Sequence, residues 1–307
     1  MKINPVYQKE LKTGVRNIRT AFILLGYNGL LALFGLFAFY VTFEYENRFG
    51  GVIDYSNILE IYAIIIATEF GLVLFTVPAL TSGSISSERE KQTLDILLTT
   101  KLSPLQIILG KLASSISMII LLAFSSLPIL ALVFTVGGVT LKDFTQFMLL
   151  VVVTAVYIGS IGIFFSTFFK RTTAATVSTY GALLFLGLGT LLIVWGIHIL
   201  MQMNLGHIAS TVGIQKKVDI GNWLLILLIN PGVTCFSMIE DQIGTGTRLS
   251  TLFNEFGSVS MGIQTIWFWL SISIQLVISA VLLFASARIL NPLREKKKFK
   301  KANYSMK

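Results

Sequence analysis

The amino-acid sequence predicts an all-α integral membrane protein built around a bundle of six transmembrane helices, and three observations predict it. Hydrophobic residues make up 54% of the 307 and charged residues 13%, with a mean hydropathy of +0.78, far above that of soluble domains. Charge is missing from the runs 20–43, 70–87, 112–141, 144–169, 172–215, 220–239 and 256–287. Most of these exceed the roughly 20 residues that carry a helix across a bilayer. The net charge of +9 gathers at the ends of those runs rather than along them. Continuous apolar runs exclude a transmembrane β-barrel, whose strands would alternate over about ten residues. Little chain is left for a soluble catalytic domain, so 1–307 reads as one transmembrane domain. A single cysteine, Cys235, excludes an internal disulfide framework.

The first element, within residues 1–20, is expected to be an amphipathic helix on the membrane surface. At 100° per residue Tyr7, Leu11, Val15, Ile18 and Phe22 share one arc, and Lys9, Lys12, Arg16 and Arg19 share another. The first span follows at 21–43; it is longer than a signal-peptide core and lacks a small-residue cleavage site, so the amino terminus is expected to stay attached. Further spans are expected at 58–81, 105–136, 144–168, 174–200 and 264–290. Basic residues flank the outermost spans: Lys2, Lys9, Lys12, Arg16 and Arg19 before the first, and Arg288, Arg294 and the lysines of the tail 291–307 after the last. The positive-inside rule then places both termini in the cytoplasm. Glu44, Glu46 and Asp54 against Arg48 put the first loop outside, 88–111 falls inside, Lys142 and Asp143 outside, Lys170 and Arg171 inside. Basic ends of this kind meet acidic lipid headgroups, so membrane lipid, not nucleic acid, is the expected partner.

The stretch 223–239 is apolar but interrupted by Asn230, Pro231 and Gly232. Each half is too short to cross, which predicts two re-entrant helices dipping into the outer leaflet from an external loop, 201–263. An eight-span alternative would split 172–215 into a helical pair and bring Lys216 and Lys217 inside.

Most informative is the segment 84–103. Ser87 with Glu90 forms a capping-box pattern, predicting a cytoplasmic helix from Glu88 to about Thr99. Ser103, Pro104 and Gln106 repeat the signal with proline at the first helical position. Leu94, Leu97 and Leu98 share one face, and Glu88, Gln92 and Asp95 lie opposite. Such a helix buries one side against the bundle and offers charge to the cytoplasm; the plainer alternative is a solvated connector.

Ile85, Glu88-Arg89-Glu90, Thr93-Leu94, Leu97-Leu98, Leu102-Ser103-Pro104 and Gly110-Lys111 together resemble the signature between the second and third spans of ABC-2 permeases, the second type of ATP-binding-cassette transporter permease. The opening Asn4-Pro5, Lys9-Glu10-Leu11, Arg16 and Arg19, and the Asn230-Pro231 break before the last span, are similar to the same family. The resemblance implies a six-span permease in the bacterial cell membrane, paired with a second copy or a homologous permease, above separate ABC-type ATPase subunits that hold ATP and Mg. It also implies that Glu88, Arg89 and Glu90 are coupling residues, with Lys170 and Arg171 a smaller second contact. Nothing in this chain forms a phosphate-cradling loop: Gly110-Lys111 is followed by Leu112 and preceded five residues earlier by Leu105. No cofactor is expected in the chain itself.

Glu69 and Glu60 are the acidic residues within the expected spans. A carboxylate at mid-membrane costs a few kcal/mol, so Glu69 should be neutral, paired or facing water; both residues are candidates for a translocation path. His198 and His207 have no partner at metal-ligand spacing, and no Gly-x-Ser-x-Gly is present, so metalloprotease and serine-hydrolase chemistry are excluded. Ala155 with Gly159, and Ala174 with Ser178 and Ala182, suit close helix packing. Trp267 and Trp269 suit an interfacial belt. The expected function is the membrane-spanning subunit of an ATP-driven exporter, not an enzyme in its own right. Its rivals are a non-transporting sensor or scaffold, and an ion channel with Glu69 lining the pore.

Overall fold

The computed structural model describes residues 5–15, 17–49, 55–99, 102–136, 140–212, 219–243, 256–257 and 259–291. Among them every regular element is a helix. Six helical runs are long and apolar enough to cross a membrane: Thr20–Glu44, Leu59–Glu90, Pro104–Ala131, Leu141–Phe168, Thr172–Met203 and Trp267–Ile289. The eight-span alternative is not adopted, because 172–203 forms one continuous run.

The chain opens with α1 (Pro5–Val15) and α2 (Ile18–Phe49). The five-residue apolar arc expected for the first helix is divided by that break. Val6 is buried on α1, whereas Ile18 and Phe22 are exposed on α2. Next come α3 (Tyr55–Thr81), α4 (Ser86–Glu90) and α5 (Leu94–Leu98). At 1.5 Å per residue α3 alone is about 40 Å long, more than a hydrocarbon core of about 30 Å, so α4 and α5 lie beyond the membrane. We call their side proximal and the opposite side distal.

The third span is not continuous. It divides at Ser126 into α6 (Pro104–Ser125) and α7 (Leu127–Val136). Pro128 has no N–H to offer the Phe124 carbonyl, and Ser125 turns its hydroxyl onto the Leu122 carbonyl at 2.7 Å. At its proximal end the Ser103, Pro104, Gln106 cap forms as the sequence predicts.

The central helix is α8 (Leu141–Phe168), started by a capping box between Thr140 and Asp143. Its apolar window is 72% buried, against 11% for the fifth span, so α8 is the axle of the bundle and the fifth span faces outward. Lipid offers apolar helices no hydrophobic gain on association, so close packing must hold them. Gly159 supplies it: a Cβ there would stand 2.8 Å from Leu112 of α6 and 3.5 Å from Thr81 of α3. Ala155, one turn earlier, is buried.

The fifth span runs through α9 (Thr172–Leu184), a π turn (Phe185–Gly189) and α10 (Thr190–Val212). A 3-10 helix (Gly221–Ile229) and α11 (Pro231–Ile243) then meet at 99°. The Asn230 amide holds the corner. It donates to the Gly187 carbonyl and the Thr190 hydroxyl, both at 2.8 Å, and accepts from the N–H groups of Gly232 and Val233. The pair starts and finishes on the distal side. Ile220 bonds to Phe256 just before the last span, and Gln242 reaches both Tyr62 near the start of α3 and Asp143 near the start of α8. With both ends on one side, the pair turns back as a hairpin at Asn230, where the sequence places its interruption. The chain ends its described course with α12 (Met261–Thr265) and α13 (Trp267–Ile289). Trp267 departs from the expected belt: it is 1% exposed, packed beneath the hairpin with Ile220 and Leu224, while Trp269 stays exposed. The basic tail beyond Asn291, with Lys216 and Lys217, lies outside the described residues.

Candidate coupling site at the proximal end

The helix expected from Glu88 to Thr99 is two helices, with a physical reason for each departure. The first starts earlier, at Ser86, and the expected Ser87–Glu90 box does not form. Its amino-terminal donors are taken from a distance instead: the Ser166 hydroxyl of α8 accepts from the backbone of Ile85 at 2.9 Å and of Ser86 at 3.0 Å. The break follows from Gln92, whose φ of 57° is left-handed. Around it Gln92 N–H bonds to the Arg89 carbonyl and Thr93 N–H to the Glu88 carbonyl, the bond pair of a Schellman cap, with glutamine where glycine is usual. The leucine face survives, because Leu94 is buried and Leu97 and Leu98 pack against Ile85 and Ile107.

Glu88, Arg89 and Glu90 each grip a different part of the bundle. Arg89 donates to the carbonyls of Phe169 at 3.0 Å and Thr167 at 3.2 Å, placing a cation on the negative end of α8. Glu90 accepts from the Thr172 N–H at 2.8 Å and the Thr172 hydroxyl at 2.7 Å, acting as a borrowed amino-terminal cap for α9. Glu88 accepts from the Thr93 hydroxyl and, at 3.4 Å, from Lys111 of α6. Lys111 also donates to Glu10 of α1 at 2.8 Å, and its side chain is only 6% exposed. One short turn therefore ties together α1, α6, α8 and α9.

The bonds to Thr172 hold the Glu90 carboxyl below its ordinary range. For Glu88, partial burial works against the charge, but the Thr93 hydroxyl and Lys111 outweigh it, and the carboxyl is again lowered.

Lys170 and Arg171, expected as a second contact, occupy the turn between α8 and α9 that Arg89 and Glu90 bracket, and both are exposed. The two expected patches are thus one. Lys9 and Lys12 are exposed on α1. Arg16 lies outside the described residues, and of Arg19 only the helical backbone is described. Lys111, the hub of the network, was legible only as part of a motif, since its partners lie 101 and 23 positions away.

Among the translocation-path candidates, Glu60 is exposed near the distal end of α3. Glu69 is fully buried. It accepts from the Ser126 hydroxyl at 2.6 Å, so it sits against the break in the third span. His198 packs edge-on against Phe256. Among the described residues no three His, Cys, Asp or Glu side chains gather as metal ligands.

A family model described as "ABC-2 family transporter protein" matches residues 4–285, nearly the whole chain, α4, α5 and the hairpin at Asn230 included. The chain belongs to the ABC-2 transporter family. It is a multi-pass membrane permease subunit of an ABC transporter, a transport component whose family associates with an ABC ATPase subunit. No curated protein matches the permease.

Proposed function

We propose that this permease is the membrane half of an ATP-driven exporter, worked by separate ATPase subunits that bind ATP and Mg and press on the proximal face. The supporting observation is the way Glu88, Arg89 and Glu90, consecutive on α4, fasten α1, α6, α8 and α9. Helices joined at their ends by charge-assisted bonds move as a unit, so a push on α4 and α5 reaches four elements at once. The contact itself is made by what that network leaves free. Ile96 stands 69% exposed on α5, beyond the membrane, directly after the exposed Asp95 and five residues after the exposed Lys91. We place the protein partner at this exposed side chain and the charges near it. Lys170 and Arg171 extend the same face. On this reading the proximal side is cytoplasmic, both termini lie there, Glu88 to Glu90 transmit force rather than touch the ATPase, and the permease works with a second copy or a homologue in the bacterial cell membrane. The outward-facing fifth span, little buried within one chain, is available to that second permease and to lipid.

The test is affinity purification from native membranes with mass spectrometry, followed by ATP-dependent substrate accumulation in inverted vesicles. An ABC ATPase should co-purify, and Ile96→Asp should reduce it at least tenfold while the permease elutes as before. A complex without an ATPase would sink the exporter reading.

A further inference from the structure

Glu69 stands at the middle of α3, about 20 Å from either end, and is fully buried. The break in the third span lies against it. There the Ser126 hydroxyl meets two oxygens, Glu69 Oε1 at 2.6 Å and the Ala123 carbonyl at 2.8 Å. A hydroxyl has one hydrogen to give. With Glu69 ionised, both neighbours are acceptors only, and whichever is denied the hydrogen faces a bare oxygen. With Glu69 protonated, the acid donates to Ser126 and Ser126 donates to Ala123, so each contact holds a hydrogen. The second carboxyl oxygen, Oε2, makes no hydrogen bond among the described residues, and the other polar group at the carboxyl is the neutral Tyr27 hydroxyl of α2. An ion there would keep one oxygen without a donor.

Among the described residues nothing nearby offsets a negative charge. The helices packed chiefly against α3 are α2, α6, α7, α8, α9 and α11, and their cations stand toward helix ends: Arg19 and Arg48 on α2, Lys111 on α6 and Lys142 on α8. Lys111 is fifteen residues before Ser126, about 22 Å along the helix, and already holds two carboxylates. The titratable side chains in the surrounding core are Tyr27, Tyr62, Tyr157 and Cys235, with Tyr180 of α9 bonded to the Phe75 carbonyl; all are uncharged near neutral pH. Glu44 and Glu46 of α2, Glu60 of α3, Asp143 of α8, and Glu240 and Asp241 of α11 lie toward the distal side, where their charge opposes a further one. A lone carboxylate at membrane depth is costly, and the neutral acid avoids that cost.

We propose that Glu69 is a proton-binding site, occupied while the bundle is closed around it, and that loss of the proton loosens the break in the third span. When the proton leaves to water, the carboxylate takes the Ser126 hydrogen and the hydroxyl turns away from the Ala123 carbonyl. The new charge then draws water to the point where Pro128 already withholds a backbone bond. The closed break binds one proton more than the open one, so it is complete in acid and weakens as pH rises. Neither nucleotide nor ATPase enters this equilibrium, which stands apart from the exporter reading.

Infrared spectra of the purified full-length permease in lipid nanodiscs, in water and in heavy water, test the proton. At pH 7 the parent should show a carboxylic-acid C=O band that shifts in heavy water, persists in Glu60→Gln and is missing from Glu69→Gln, whose amide has the size of the acid. Ser126→Ala should keep the band but move its frequency, because the acid loses the oxygen to which it donates. Hydrogen exchange over residues 123–130, read by mass spectrometry, tests the break. Corrected for the intrinsic effect of base, exchange should quicken at least threefold from pH 6 to pH 9 in the parent and stay level in Glu69→Gln. A spectrum unchanged by Glu69→Gln, exchange that ignores pH in the parent, or the same pH dependence in both proteins overturns the proposal. Should Glu69→Gln fail to fold, a band that Ser126→Ala leaves in place does the same.

Discussion

At the proximal end, helix termini are closed by charged side chains, Arg89 on α8 and Glu90 on α9. Halfway along the fifth span, the corner of the hairpin is closed by the neutral amide of Asn230, through four hydrogen bonds. Both places must satisfy backbone groups that a helix end leaves open. The difference is the surroundings: a charge near water keeps most of its hydration, while a charge at membrane depth loses it. Charged clamps thus belong where the chain emerges, and amides where it is immersed. Lys111 falls between these cases, buried yet held by two half-exposed carboxylates.

The sharpest way to break this comparison is Asn230→Leu. At about 0.6 kcal/mol for each bond in a membrane interior, loss of all four should cost about 2–3 kcal/mol. Thermal unfolding in detergent reads that loss. Maleimide labelling of Cys235, buried one turn further on, should rise as the corner opens. An unchanged melting temperature would mean the hairpin is held by its apolar contacts. Next in size is Lys111→Met, which leaves Glu10 and Glu88 without the buried cation they share. Because both carboxylates reach water, the expected loss is about 2 kcal/mol rather than the 3–5 of a fully buried pair. The same unfolding assay measures it.

The smallest effect is a pH dependence. The carboxyl of Glu90 is held low by Thr172 in the folded chain, so its contribution is complete above the ordinary carboxylate value of about 4.3 and fades as pH falls through the lowered value. Glu90→Gln should melt below the parent at pH 7, and the difference should vanish once the solution is acid enough to protonate the parent's carboxylate. A gap that persists in acid would assign the effect to shape rather than charge.

The spans were legible because apolar length and flanking charge suffice to define them, and the hairpin was legible because Asn230 and Pro231 interrupt an apolar run. A local cap was legible too, at Ser103, where donor and acceptor lie three residues apart; the like pattern at Thr140 and Asp143 was missed. What the sequence concealed depends on distant pairs. Ser166 caps α4 from 80 positions away, and so displaces the local Ser87 signal. Trp267 reads as an interfacial residue until the hairpin folds over it. Gln92 is misleading for a different reason: glutamine seldom takes a left-handed φ, so nothing in its type announces the break.

The turn Phe185–Gly189 carries one residue more than an α-helix of the same rise would use. Were that surplus passed along the fifth span, the residues it passes would swivel by about 100° with little change in length. Asn230, by holding the Gly187 carbonyl, keeps the surplus parked at one depth. Release of that amide would remove the polar tie on the turn, leaving the packing of Val194 and Ile197 against the hairpin, and of His198 against Phe256, as what still opposes rotation.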